Sequence, residues 1–109
     1  MSYNNNEVRL RETDRYSDWF SGLRDSAAKA MIVARLDRVK RGNFGDCVSV
    51  GEGVSELRIH YGPGYRVYIL QRGQELVILL AVGDKSTQKR DIPAALEIAH
   101  EIKENPNGN

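Results

Sequence analysis

The chain has 109 residues, 40% of them hydrophobic and 28% charged, with a formal net charge of +1. Those figures describe one domain, residues 1–109, that buries roughly two-thirds of its unfolded surface around a core spanning about residues 7–102, with frayed termini. The single cysteine, Cys47, cannot form an internal disulfide, which argues against a secreted, disulfide-stapled scaffold. No apolar run approaches the ~18 residues of a membrane span, and the opening MSYNNNEVRL lacks a signal-peptide apolar segment, so a cytoplasmic location is expected. The charge is uneven: residues 24–42 carry six Lys/Arg against two acids, and residues 54–91 six against four. Basic segments beside acidic ones suit a protein that meets nucleic acid on one face. A Lys/Arg-rich helix face is also what solvation alone produces, so residues 24–42 by themselves assign nothing.

In chain order, Val8 and Leu10 alternate with Glu7, Arg9 and Arg11, which predicts a short strand over 7–12. Thr13 or Asp14 then caps a first helix carrying Tyr16, Trp19, Phe20 and Leu23. Gly22 ends it, and Asp25-Ser26 starts a second helix whose apolar stripe is Ala28, Ile32, Leu36 and Val39. Arg35, Arg38 and Lys40 are assigned away from that stripe, and Gly42 is the expected stop. The short connection makes the pair a helical hairpin.

Residues 42–53, GNFGDCVSVGEG, read as loop. Two alternating strands follow, Val54–Tyr61 and Tyr65–Gln71, joined by Gly62-Pro63-Gly64, whose glycines can supply the positive φ of a tight reversal. After a turn at Arg72-Gly73-Gln74, the almost wholly apolar Leu76–Val82 reads as a central strand covered on both faces. Gly83–Lys89 is expected to be loop, with Asp91 capping a last helix that has Pro93 in its first turn and runs over Ala94–Ile102. The order β-α-α-β-β-β-α defines an α+β fold, an antiparallel meander with helices packed on one face.

Period-two geometry turns Leu57, Ile59, Val67 and Ile69 to the core and gathers Arg58, His60, Arg66 and Tyr68 on the opposite face. Arginines opposed across a sheet repel unless an acid or a bound anion lies between them. Glu56, on the same face, is the obvious internal partner, and a salt-bridged surface sheet is the plain alternative to an anion site. Lys85, Gln88 and Lys89 lie in the loop expected to open beside this face, where they could meet phosphate or a base edge. His60 is the side chain there that titrates near neutrality, hence the natural candidate to move protons. The two histidines and one cysteine have no metal-ligand spacing, and no phosphate-cradling glycine loop is present, so neither a metal nor another cofactor is expected. Cys47 reads as buried or idle and His100 as a surface residue.

The segments LRDSAAKAMIVARLDRVKRGNFGD, VSELRIHYGPGYRVYIL and LLAVGDKSTQKRDIPAA, in that order over about residues 7–100, resemble the RelE/ParE superfamily of toxins from bacterial toxin–antitoxin modules. The likeness is greatest to the HigB-like branch of addiction-module killer proteins. The resemblance implies a RelE-like fold, a curved antiparallel sheet covered by an N-terminal helical hairpin. It implies the toxin of a type II module, a ribosome-dependent mRNA endonuclease that inhibits translation. In that chemistry the RNA's own 2′-hydroxyl attacks the scissile phosphate without a metal, while the protein aligns the attack and stabilises the anionic transition state.

By position, Arg66 matches the arginine that grips the scissile phosphate and Arg58 a basic residue of the preceding strand. Lys85 and Gln88 fall where relatives place further basic or polar groups. Glu56 departs from the pattern, standing where RelE proper has a lysine. Gln88 takes the place of an arginine in the last loop, and the aromatic acid/base after it is replaced by an apolar residue. His60 and Tyr68 are thus the alternatives for proton transfer. Implied partners are a cognate antitoxin of helix-turn-helix type, the ribosome and mRNA, with no membrane and no small-molecule cofactor. The alternative reading is a non-enzymatic, ParE-like inhibitor of DNA gyrase, which would not need the arginine patch for chemistry. A third is a degenerate module member that binds only its antitoxin or operator.

Overall fold

The computed structural model describes residues 7–105; the fraying expected before and beyond them lies outside the described residues. Strand β1 (Arg9–Glu12) leads to helices α1 (Asp14–Gly22) and α2 (Ser26–Lys40). Strands β2 (Cys47–Gly51), β3 (Val54–Ile59), β4 (Tyr65–Arg72) and β5 (Leu76–Asp84) follow. A short 3-10 turn (Lys85–Thr87) then runs straight into α3 (Gln88–Glu104). The fold is α+β. Its five strands lie in the order β1-β5-β4-β3-β2, with β1 parallel to β5 and the other pairs antiparallel.

Local chemistry explains the helix boundaries. The Thr13 hydroxyl accepts from the Tyr16 amide at the start of α1 and donates to the carbonyls of Leu79 and Leu80, fastening the helix to β5. The Asp25 carboxylate accepts from the Ala28 amide and caps α2. Gly42, at φ 88°, takes the left-handed conformation that closes α2. The stripe Ala28, Ile32, Leu36 and Val39 is buried against Leu57, Ile59, Val67, Ile69, Val77 and Leu79. That is the first core layer.

A second layer occupies the other face of the sheet, where Ala95 and Ala99 of α3 pack on Val54, Tyr68, Leu70, Ile78 and Leu80. The helices therefore cover both faces rather than one. Tyr68 and Leu70 lie on the face that the alternation left for polar groups; their apolar surface is what α3 buries there. The expected loop at 42–53 contains β2, an edge strand with an irregular register on β3. Gly51-Glu52-Gly53 is its turn, with Glu52 at φ 55° and Gly53 at φ 83°. The last helix starts at Gln88 rather than in the 90s, because Asp91 is not its cap. That carboxylate is buried and accepts from the Thr87 hydroxyl at 2.5 Å, locking the first turn from inside. Among the described residues no helix is long and apolar enough to cross a membrane.

Candidate functional site

The site is built on the β3–β4 hairpin. Its reversal has Gly62 at φ 55° and Gly64 at φ 84°, and the Gly64 amide donates to the Tyr61 carbonyl. The register this turn sets places Arg58 directly opposite Arg66 and Glu56 opposite Tyr68. Beyond β4, a bulge in β5 puts Leu80 and Ala81 on the same face and brings Gly83 opposite Arg66. A β-carbon at Gly83 would lie 1.9 Å from the Asp91 carboxylate and 2.6 Å from the Thr87 hydroxyl. Only glycine lets the first turn of α3 fold back this closely over the strand.

The Glu56 carboxylate organises the floor of the site. One oxygen accepts from Arg58 Nε at 3.0 Å and lies 3.5 Å from Arg66 Nη1. The other accepts from the Tyr68 hydroxyl at 3.2 Å and from Gln88 Nε2 at 2.6 Å. Glu56 is 1% exposed. One carboxylate set between two guanidiniums offsets one positive charge and leaves the other. Arg66 is nearly buried, and its Nε and Nη1 have no hydrogen-bond partner, whereas native buried donors are almost always paired. Burial, with the Glu56 charge and hydrogen bond, pushes the Tyr68 phenol well above its usual range.

Above this floor is an open hollow of about 500 Å³, lined by Arg58, Arg66, His60 and Lys85 with the Tyr61–Gly64 turn as its rim. Lys85 reaches it from the 3-10 turn, which the Asp84 and Thr87 side chains cap and which packs against Gly64. His60 is exposed, just past the end of β3, with its Nε2 2.7 Å from Asp46 Oδ2.

The structure thus brings together four of the residues singled out in the sequence: Arg58, Arg66, His60 and Lys85. It separates the other three. Tyr68 is wholly buried beneath Glu56, Gln88 is bound to Glu56, and Lys89 is exposed on α3 and does not line the hollow. Two contributors were not visible to pattern reasoning. Arg35, assigned to the solvated side of α2, is buried and donates to the carbonyls of Phe44, Asp46 and Arg58. Its position three after Ile32 and seven after Ala28, at the border of the apolar stripe, was the available signal. Asp46 left none, since its contact with His60 crosses 14 residues and depends on β2, which was not foreseen.

A family model described as "Phage derived protein Gp49-like (DUF891)" matches residues 18–104. An uncharacterised protein of Haemophilus influenzae is 47% identical over 95 residues, covering 87% of this chain and 96% of that one. Among solved structures, a double arginine-to-alanine mutant of the Escherichia coli toxin RelE in the free state superposes with a TM-score of 0.69 at 14% identity, over 84% of this chain and 96% of that one. At that identity the likeness speaks for the fold alone. The solution structure of a conserved hypothetical protein from Helicobacter pylori gives a TM-score of 0.47 at 22% identity, over 72% of this chain and 96% of that one.

Proposed function

The chain belongs to the Gp49-like family of phage-derived proteins, a RelE/ParE-like toxin family, and on that premise we propose that it is a toxin that cleaves messenger RNA on the ribosome. The observation that carries this reading is the cross-strand pair Arg58–Arg66, sharing a single carboxylate at the floor of an open hollow. Two guanidiniums and Lys85 against one buried acid leave an excess of positive charge where an RNA phosphate can enter. Arg66 lines the hollow while nearly buried, so its guanidinium is held in place for charge-assisted hydrogen bonds to an entering phosphate.

In the reaction, the 2′-hydroxyl of the nucleotide before the cut attacks the adjacent phosphorus. Arg66 and Arg58 hold the equatorial oxygens as charge builds there, and Lys85 adds a mobile point charge. No metal is required in this scheme. His60 handles the proton, being exposed at the rim; the Tyr68 hydroxyl is buried, held protonated and spent on Glu56. Gln88 and Tyr68 serve by fixing Glu56, which in turn spaces the guanidiniums. A toxin of this kind is held in check by a cognate antitoxin, whose simplest route to inhibition is to cover the hollow.

Pulse labelling after induction tests the reading. Protein synthesis is expected to fall within the first labelling interval while DNA synthesis continues. Early arrest of DNA synthesis with translation intact would instead place the target at DNA gyrase.

A further inference from the structure

We propose that Asp46 is a positioning residue for His60, holding the imidazole by Nε2 so that Nδ1 receives the proton of the attacking 2′-hydroxyl. This rests on the endonuclease reading above. Asp46 Oδ2 and His60 Nε2 are 2.7 Å apart, a hydrogen bond that assigns the ring's donor to Nε2 and leaves Nδ1 as the acceptor. A carboxylate in this place fixes the tautomer and orientation of the ring and stabilises the imidazolium that forms, as in other carboxylate–histidine pairs.

The carboxylate is delivered by the backbone rather than by a free surface side chain. The Asp46 carbonyl accepts from Arg35 Nη2 at 2.7 Å and from the Arg58 amide at 3.0 Å. Arg35 also grips the Phe44 carbonyl, and Gly45, at φ 67°, lies so close that a β-carbon there would sit 3.1 Å from the guanidinium. The loop before β2 is therefore clamped to the end of β3, with Asp46 fixed beside His60. Stability does not account for the arrangement. The His60 and Asp46 side chains are 73% and 42% exposed, and surface pairs of that kind add little.

His60 borders two hollows. The first holds Arg66 and Lys85; the second, about 320 Å³ against α2, holds Asp46 and Arg38; Arg58 is common to both. Asp46 is the one acid among the residues lining either. The hydrogen bond from His60, foremost among several causes, keeps the Asp46 carboxyl below its usual range and hence ionised as the imidazole takes up a proton.

The step balances as follows. The 2′-oxygen forms its bond to phosphorus as its proton passes to His60 Nδ1. The bond from phosphorus to the 5′-oxygen breaks, its electron pair leaving on that oxygen, which takes a proton from water. The imidazolium then returns its proton to solvent, and the RNA is left with a cyclic phosphate and a 5′-hydroxyl.

The test is single-turnover cleavage of mRNA on programmed ribosomes by the full chain. Asp46→Asn keeps the backbone carbonyl that Arg35 and Arg58 use, so it probes the carboxylate alone. It is expected to slow cleavage about 10- to 100-fold without changing the half-saturating ribosome concentration, and Asp46→Ala to do the same. His60→Ala should lose about 100-fold or more, and adding Asp46→Asn to it should cost nothing further. The proposal is overturned if Asp46→Asn cleaves at the wild-type rate, or if it slows the His60→Ala protein by its full factor. A wild-type protein that cuts nothing on the ribosome defeats the nuclease reading itself. Cleavage by wild type with an indifferent Asp46 defeats only the role of Asp46.

Discussion

A single carboxylate, Glu56, is shared by two guanidiniums, a phenol and an amide. Glu56→Gln keeps the shape and removes the charge, leaving Arg58 and Arg66 opposed across the strands with no negative charge between them. The cost is expected at about 2–3 kcal/mol in denaturant unfolding, below the roughly 3–5 kcal/mol of a fully buried pair because Arg58 stays partly exposed. Unchanged stability would mean that Glu56 does not hold the two apart. Asp46 gives a second residue-level prediction. Its carboxyl lies below the ordinary range chiefly because of His60, so the pair's small stabilisation is present above the unfolded-state value and is lost as pH falls through the folded one. In His60→Ala the Asp46 midpoint should rise toward the ordinary carboxylate range, read by carbon NMR of the side-chain carboxyl. A midpoint that stays put contradicts the pairing.

Among the elements, α3 does more than cover the sheet. Its first turn folds over Gly83 and delivers Gln88 to Glu56, so packing there and the floor of the site are one structure. Gly83→Ala should push that turn away, costing about 1–3 kcal/mol by overpacking and releasing Gln88. Toxicity in cells should fall with it, although Gly83 itself offers RNA no side chain. Wild-type stability and toxicity in this variant would show that the turn has room to give. The elements also show what the sequence made legible. Thr13, Asp25 and Gly42 mark helix ends by local chemistry, and the alternation in β3 and β4 set Arg58 beside Arg66 before any coordinates. Three features escaped because their causes are not local. β2 is short and set among glycines, and is a strand by virtue of pairing with β3. The start of α3 is set by a Thr87–Asp91 contact and by space over Gly83. Arg35 looks solvated until three carbonyls from distant segments converge on it.

At the scale of the whole molecule, helices on both faces leave the sheet open at one corner, where the β3–β4 turn meets the 3-10 turn. The core that α1, α2 and α3 make holds the strands rigid, and the corner they leave uncovered is where Arg58, Arg66, Lys85 and His60 converge. The most direct measurement of the central claim is primer extension on cellular mRNA shortly after induction of wild-type protein and of Arg66→Ala. New 5′ ends inside translated frames are expected with wild type. With Arg66→Ala their yield should fall about 100- to 1,000-fold, the loss of one donor made chiefly to the transition state. Equal yields of in-frame ends from the two proteins, or none from wild type while growth still stops, would contradict a phosphate held by the paired arginines.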